Sequence, residues 1–269
     1  MANSTLIKKL SMAVAGAALI TLGAVGTAQA GTVVAPNSQE TTEGNFDNGF
    51  PFNIGFFSLS SQRYQQVYAA SEFASFSEPQ NITQILFRPD AFFGNAFSST
   101  LPNIQINLST TSKAPDRLST AFADNIGNDD TVVFSGPLSL SSAFTGPAGG
   151  PKDFDIVINL MTPFLYNPGA GNLLLDVRNF AGGVTTFFDA QFQTGDSTSR
   201  RYTLGANDVN ASIGSGDSLG LVTKFVTTPP SKAVPEPTSV MGLLALAALG
   251  SGSVLKRKQN QKASDNSLN

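Results

Sequence analysis

The amino-acid sequence predicts an all-β protein: an antiparallel β-sandwich, jelly-roll-like, flanked by an N-terminal signal helix and a C-terminal transmembrane helix. Three observations predict it. Apolar residues in the middle of the chain recur at every second position, the side-chain period of a strand with one buried face. Clusters of Gly, Pro, Asn and Asp interrupt that alternation at short intervals, as turns between many short strands require. The two long apolar runs lie near the chain's ends, each flanked by Lys or Arg and without a polar face.

The strands follow in order. RYQQVY (Arg63–Tyr68) and ITQILFR (Ile82–Arg88) are rich in β-branched and aromatic residues. NIQINLS (Asn103–Ser109) places Ile104, Ile106 and Leu108 on one face, opposite Gln105 and Asn107. TVVFSG (Thr131–Gly136) precedes FDIVINL, which aligns Phe154, Ile156, Ile158 and Leu160. Leu173, Leu175 and Val177 share a face of NLLLDVRNF; Val184, Thr186, Phe188, Ala190 and Phe192 form the inner set of GVTTFFDAQF. SRRYTLG (Ser199–Gly205) and LGLVTKFV (Leu219–Val226) complete the series. The gaps RPDAFFGN, NIGNDD, TGPAGGPKD, YNPGAGN and ANDVNASIGSGDS read as turns. Short helical turns are expected at Ser71–Phe76 and Ala114–Ala123.

Composition bounds the chemistry. Of 269 residues 41% are hydrophobic and 13% charged, with 21 Phe, enough apolar material for a core. His, Cys and Trp are absent, which removes disulfides, thiol and Ser-His-Asp nucleophiles and the ordinary zinc ligands. Only Glu236 and Asp265 of the 19 acidic residues lie outside residues 31–234, against six of the 16 basic ones (Lys8, Lys9, Lys256, Arg257, Lys258 and Lys262). The 17 acidic and 10 basic residues that remain give this stretch a net charge of −7, a poor match to a phosphate backbone; no nucleic-acid partner is expected.

Each end reads as an address. Lys8 and Lys9 precede an apolar run from Leu10 to about Val25, and Ala28-Gln29-Ala30 supplies the small residues that signal peptidase recognises, so residues 1–30 form a signal peptide cleaved after Ala30. The apolar run Val240–Leu255 has 16 residues, about 24 Å of helix against a ~30 Å hydrocarbon core. Its basic flank can snorkel to close the difference. Lys256, Arg257 and Lys258 anchor its cytoplasmic end and leave the large middle domain outside. The domain order is a flexible lead-in at 31–48, a β-sandwich ectodomain at 49–228, a Pro-containing linker at 229–234, a C-terminal signal at 235–258 and a polar tail at 259–269.

Val234-Pro235-Glu236-Pro237, a small apolar helix and Lys256-Arg257-Lys258, in that order, resemble a PEP-CTERM sorting signal. The resemblance implies a Gram-negative-type envelope and recognition by an exosortase, a membrane transpeptidase-like enzyme, with Pro235, Glu236 and Pro237 as the sorting motif. The tail would be removed near those residues and the domain released or attached to an envelope component. The two prolines hold Glu236 extended and remove backbone donors, a shape suited to reading in a cleft. LSTTS (Leu108–Ser112), TVVFSG and NLLLDVRNF are similar to ectodomains carried by PEP-CTERM proteins, a likeness of architecture rather than activity.

Candidate chemistry in the middle domain is sparse. Asp153 and Asp155 flank Phe154 on the outward face of a strand, a carboxylate pair suited to calcium or glycosidic acid–base work, or else a solvated face. Asn128-Asp129-Asp130 reads as a β-turn before it reads as a calcium loop. Asp176 and Arg178 share a face and are expected to pair at the surface. Tyr64, Tyr68, Tyr166 and Tyr202, with Arg88, Asn107 and Arg178, are the residues available to line a saccharide groove. No phosphate-binding, dinucleotide or nucleophile-elbow motif is present, and no catalytic, cofactor or metal residue is assigned. The expected role is a non-enzymatic structural or adhesive one at the cell surface or in the extracellular matrix. The alternative is a carbohydrate-binding module associated with exopolysaccharide, with or without the assistance of calcium, and more remotely a carboxylate-dependent hydrolase. Signal peptidase, exosortase and envelope or extracellular polysaccharide are the expected partners, with the membrane engaged before processing.

Overall fold

A computed structural model describes residues 30–205 and 208–230. The N-terminal signal helix with Ala28, the sorting residues Pro235, Glu236 and Pro237, the C-terminal helix and Lys256, Arg257 and Lys258 lie outside the described residues. Among the described residues no helix is long and apolar enough to cross a membrane.

Among the described residues, thirteen strands build three antiparallel sheets. They are β1 (Gly31–Ala35), β2 (Phe46–Asn48), β3 (Gln62–Tyr68), β4 (Gln80–Phe87), β5 (Phe97–Thr111), β6 (Thr131–Ser142), β7 (Ile156–Tyr166), β8 (Asn172–Asn179), β9 (Phe188–Phe192), β10 (Thr198–Tyr202), β11 (Ser215–Asp217), β12 (Leu219–Leu221) and β13 (Thr223–Thr228). The four-stranded sheet has the order β1-β13-β4-β7, the six-stranded sheet β11-β10-β3-β8-β5-β6, and a small third sheet β12-β9-β2.

The inward faces obey the alternation read from the sequence. Ile104, Ile106 and Leu108 of β5 and Leu173, Leu175 and Val177 of β8 lie in one apolar cluster with Ile82, Ile85 and Phe87 of β4, Ile156 and Ile158 of β7 and Phe225 of β13. Both large sheets therefore contribute to a single core. Aromatic rings fill it edge to face: Tyr68 meets Phe225 at 5.1 Å between centroids, and Phe73 meets Tyr166 at 4.9 Å. Each such fully buried ring contributes about 1.5–3 kcal/mol through area alone.

Four local expectations change. Residues 31–48 are not a flexible lead-in: Gly31–Ala35 pairs with β13 from Gly31↔Thr227 to Ala35↔Thr223, and Phe46–Asn48 pairs with β9. The polar run between them contains a 3-10 turn at Asn37–Gln39. LGLVTKFV divides at Val222 between two sheets, because Leu219–Leu221 pairs with β9 while Thr223 onwards pairs with β4. The set Val184–Phe192 is inward only in part: Thr186, Phe188 and Ala190 are buried, whereas Val184 and Phe192 are exposed. The helical turns shift to Ala70–Phe73 and Phe122–Asn125, where capping occurs through backbone groups rather than side chains.

The outward face of the six-stranded sheet is covered by residues 112–130. Leu118 packs with Val67 and Leu174 in a second, smaller cluster. This explains why NLLLDVRN is apolar on both faces at Leu174. Gly127 lets the covering segment approach β5, since a Cβ there would lie 1.8 Å from the Thr110 carbonyl oxygen.

Strand directions define two poles. Gly31 and Thr228, where the domain begins and ends, lie together at one pole with residues 69–79, 112–130 and 167–171. The opposite pole carries residues 49–61, 88–96, 143–155 and 180–187.

Candidate functional site

The strongest concentration of ionisable groups gathers around Arg88, at the end of β4. Its guanidinium is 1% exposed. Nε donates to Asp189 Oδ2 at 2.7 Å, and Nη2 lies 2.6 Å from the same oxygen. Nη2 also donates to the carbonyls of Thr42 at 2.6 Å and Gln39 at 2.9 Å, and the Phe154 ring lies 4.8 Å from the guanidinium carbon. One buried cation thus ties the 39–44 segment to β4 and β9.

Two further carboxylates complete the cluster. The Gly44 amide donates to Asp189 Oδ1 at 2.8 Å. Glu43 Oε1 accepts from the Ala91 amide at 2.7 Å, while Oε2 is buried without a partner. Asp90 Oδ1 accepts from the amides of Phe92 and Phe93 at 2.8 and 2.7 Å. Oxygens of Glu43, Asp90 and Asp189 lie within 4.8 Å of one another, so among the described residues these three are the group that could hold a cation. Burial pushes the Asp189 carboxyl up to about 7, against the pull of Arg88. Burial also raises Glu43, with the Asp90 charge adding to it. Chemically the arrangement is a buried ion pair with an excess of carboxylate, which favours protonation of the group least compensated.

A second buried pair sits under the 112–130 segment. Arg63 Nη2 contacts Asp176 Oδ2 at 2.6 Å, and Gln65 Nε2 donates to the same oxygen at 2.8 Å. Asn125 Nδ2 donates to Gln65 Oε1 at 2.9 Å, and the Phe122 ring lies 4.7 Å from the Arg63 guanidinium. A third pair, Arg200 with Asp217 at 2.8 Å, edges a pocket of about 180 Å³ that Asp116, Ser199 and Ser218 also line.

The residues singled out in the sequence are scattered. Asp153 and Asp155 lie in the loop before β7, not on a strand face, and they close that loop: Thr145 Oγ1 donates to Asp153 at 2.7 Å and the Ala143 amide to Asp155 at 2.8 Å. Asp129 and Asp130 hold a turn, accepting from the Thr110 amide at 2.7 Å and from Asn107 Nδ2 at 2.9 Å. Asp176 takes Arg63 as its partner, because β3 and β8 pair with Arg63 opposite Arg178 and bring Arg63 beside Asp176. That pair is buried, not a surface one.

The four tyrosines do not form a groove. Tyr64, Tyr68 and Tyr166 are fully buried, bonded to Gln66 at 2.5 Å, Thr223 at 2.8 Å and the Gly171 carbonyl at 2.9 Å. Tyr202 is partly buried and donates to Asp217 at 3.2 Å. The Arg88 cluster is not legible in the sequence, because Glu43, Arg88 and Asp189 lie 45 to 146 positions apart and only Asp90 is near Arg88. Its one sequence signal is Arg88-Pro89-Asp90, a charged triplet closing an apolar strand.

The two ends of the β-rich domain, Gly31 and Thr228, lie at one pole, and a further segment follows Pro230. That segment is identified: residues 233–258 match the PEP-CTERM protein-sorting motif. The motif marks an exported protein sorted by an exosortase while held at the membrane. No curated protein and no solved structure matches the chain.

Proposed function

We propose that the domain is a jelly-roll-like β-sandwich that serves as a non-enzymatic structural or adhesive component of the cell surface or extracellular matrix. Residues 1–30 direct export and are cut by signal peptidase after Ala30. Residues 240–255 hold the precursor in the membrane until the exosortase reads Pro235–Pro237. The observation that carries this reading is the sorting motif at 233–258, attached to a β-rich domain. Arg63, Arg88 and Arg200 each complete an ion pair within the domain, which ties neighbouring strands and loops together. Polysaccharide of the envelope or matrix is the expected surrounding.

Fractionation of producing cells with and without the sorting enzyme tests it. The expected result is surface or matrix recovery in the first and retention in the membrane fraction in the second. Recovery from the cytoplasm, or a hydrolytic turnover of matrix polysaccharide by the purified protein, would overturn the reading.

A further inference from the structure

The pole opposite Gly31 and Thr228 presents apolar rings to solvent. Phe56, Phe57, Phe92, Phe93 and Val184 are between 43% and 71% exposed. Phe187 joins them, its ring centroid 5.0 Å from Phe56 and 6.1 Å from Phe57. The loops bearing them are tied together by backbone bonds: Gly55 N–H donates to the Gly183 carbonyl at 2.7 Å, and Asp90 N–H to the Phe187 carbonyl at 3.0 Å. The exposed part amounts to about 500 Å² of apolar surface at roughly 200 Å² per Phe. That is the size of the largest apolar patch on a typical monomer, and such patches are often functional.

The chemistry of the patch selects its occupant. The loops at this pole contain two basic residues, Arg88 and Lys152, and both are buried. Arg88 is paired with Asp189, and Lys152 Nζ donates to the Pro147 carbonyl at 2.7 Å. An anionic lipid surface therefore finds no exposed cation on these loops. A glycan site needs polar groups converging beside the rings, yet Asn53 and Asn95 are turned onto the Thr185 amide and the Ala96 carbonyl. What the patch fits is another apolar, aromatic patch, and a two-fold contact with a second copy supplies one by symmetry. The area falls short of the ~800 Å² per partner of a standard stable interface, so the contact is weak singly and effective when many copies act together.

We infer that the Phe56/Phe57/Phe92/Phe93/Val184/Phe187 pole is a homophilic contact between copies of this chain displayed on facing surfaces. The inference rests on the surface role proposed above only for orientation. A chain tethered beyond Thr228 points this pole away from its own surface, so neighbours on one surface cannot join pole to pole, whereas copies on opposed surfaces can.

The test is clustering of microbeads that carry the full chain captured through a tag after Asn269. Beads bearing the chain cluster with one another, and they ignore beads coated with phosphatidylcholine or with bacterial exopolysaccharide. F92S/F93S and, separately, F56S raise the surface density needed for clustering at least tenfold. M161S/L165S, which changes exposed apolar residues of β7 elsewhere, leaves it unchanged. Circular dichroism verifies that each variant is folded. Absence of clustering, clustering that both Phe variants retain, or capture of lipid or polysaccharide beads in its place would each overturn the inference. The outcome does not depend on sorting, so it fails or holds separately from the cell fractionation.

Discussion

Replacing Arg88 with Met removes the one cation inside the carboxylate cluster while keeping most of the apolar stem volume. The variant leaves Asp189, 0% exposed, without its ion-pair partner and strips the Thr42 and Gln39 carbonyls of their donor. Breaking a buried pair by removing one partner costs about 3–5 kcal/mol. For a domain of this size about 2–4 °C accompanies each kcal/mol, so the unfolding midpoint of R88M falls by about 6–20 °C at pH 8. At pH 5 the loss is smaller, because Asp189 is already protonated in the native state and Arg88 then has less charge to meet. R88M/D189N recovers part of the loss at pH 8, since it leaves no buried carboxylate behind. Thermal unfolding of the full chain followed by far-ultraviolet circular dichroism at the two pH values measures all three. A midpoint for R88M within 2 °C of the parent at pH 8 would refute the argument that this pair holds residues 39–44 to the sheets.

Three further outcomes follow from the same geometry. The native state keeps a proton on Asp189 up to about pH 7 that the unfolded chain releases near pH 4, so stability falls as pH rises between those values, by roughly 4 kcal/mol at most. Asp196, raised by burial to about 6, acts in the same direction; urea titrations at pH 5 and pH 8 should show the higher midpoint at pH 5, and D189N should flatten the difference. N125A removes donors to Gln65 Oε1 and the Ser119 carbonyl from a fully buried site, costing about 2–3 kcal/mol and speeding tryptic cleavage at Lys113 and Arg117, readable by mass spectrometry. G127A forces a Cβ into the Thr110 carbonyl and should loosen the same segment, seen as faster amide exchange at 112–130 than at β8.

What the sequence discloses here depends on range. The faces of β5 and β8 are legible in NIQINLS and in Leu173, Leu175 and Val177, because a period of two is a local property. The turn at Asn128–Asp130 is legible for the same reason. β1 is not: GTVVA is five residues beside a polar run, and it becomes a strand by pairing with Thr223–Thr227, 188 or more positions away. The ion pairs are equally non-local. Asp176 appears beside Arg178 in the sequence, but register sets Arg63 against it from another strand. Exposed Phe at Phe92 and Phe93 cannot be told from core Phe by composition; only the bend at Asp90, which accepts from both their amides, turns them outward. The terminal sorting signal is the reverse case, since its motif, apolar run and basic cluster are contiguous.

Export followed by processing at the C-terminal motif would fix both ends of the mature chain. Intact-mass spectrometry of the native protein, from cells with and without the sorting enzyme, tests it most directly. With the enzyme, the account predicts a mature chain that begins at Gly31 and ends near Pro235–Pro237. Without it, the chain begins at Gly31 and keeps residues 238–269. A mature surface protein that still ends at Asn269 in cells containing the enzyme would contradict the account.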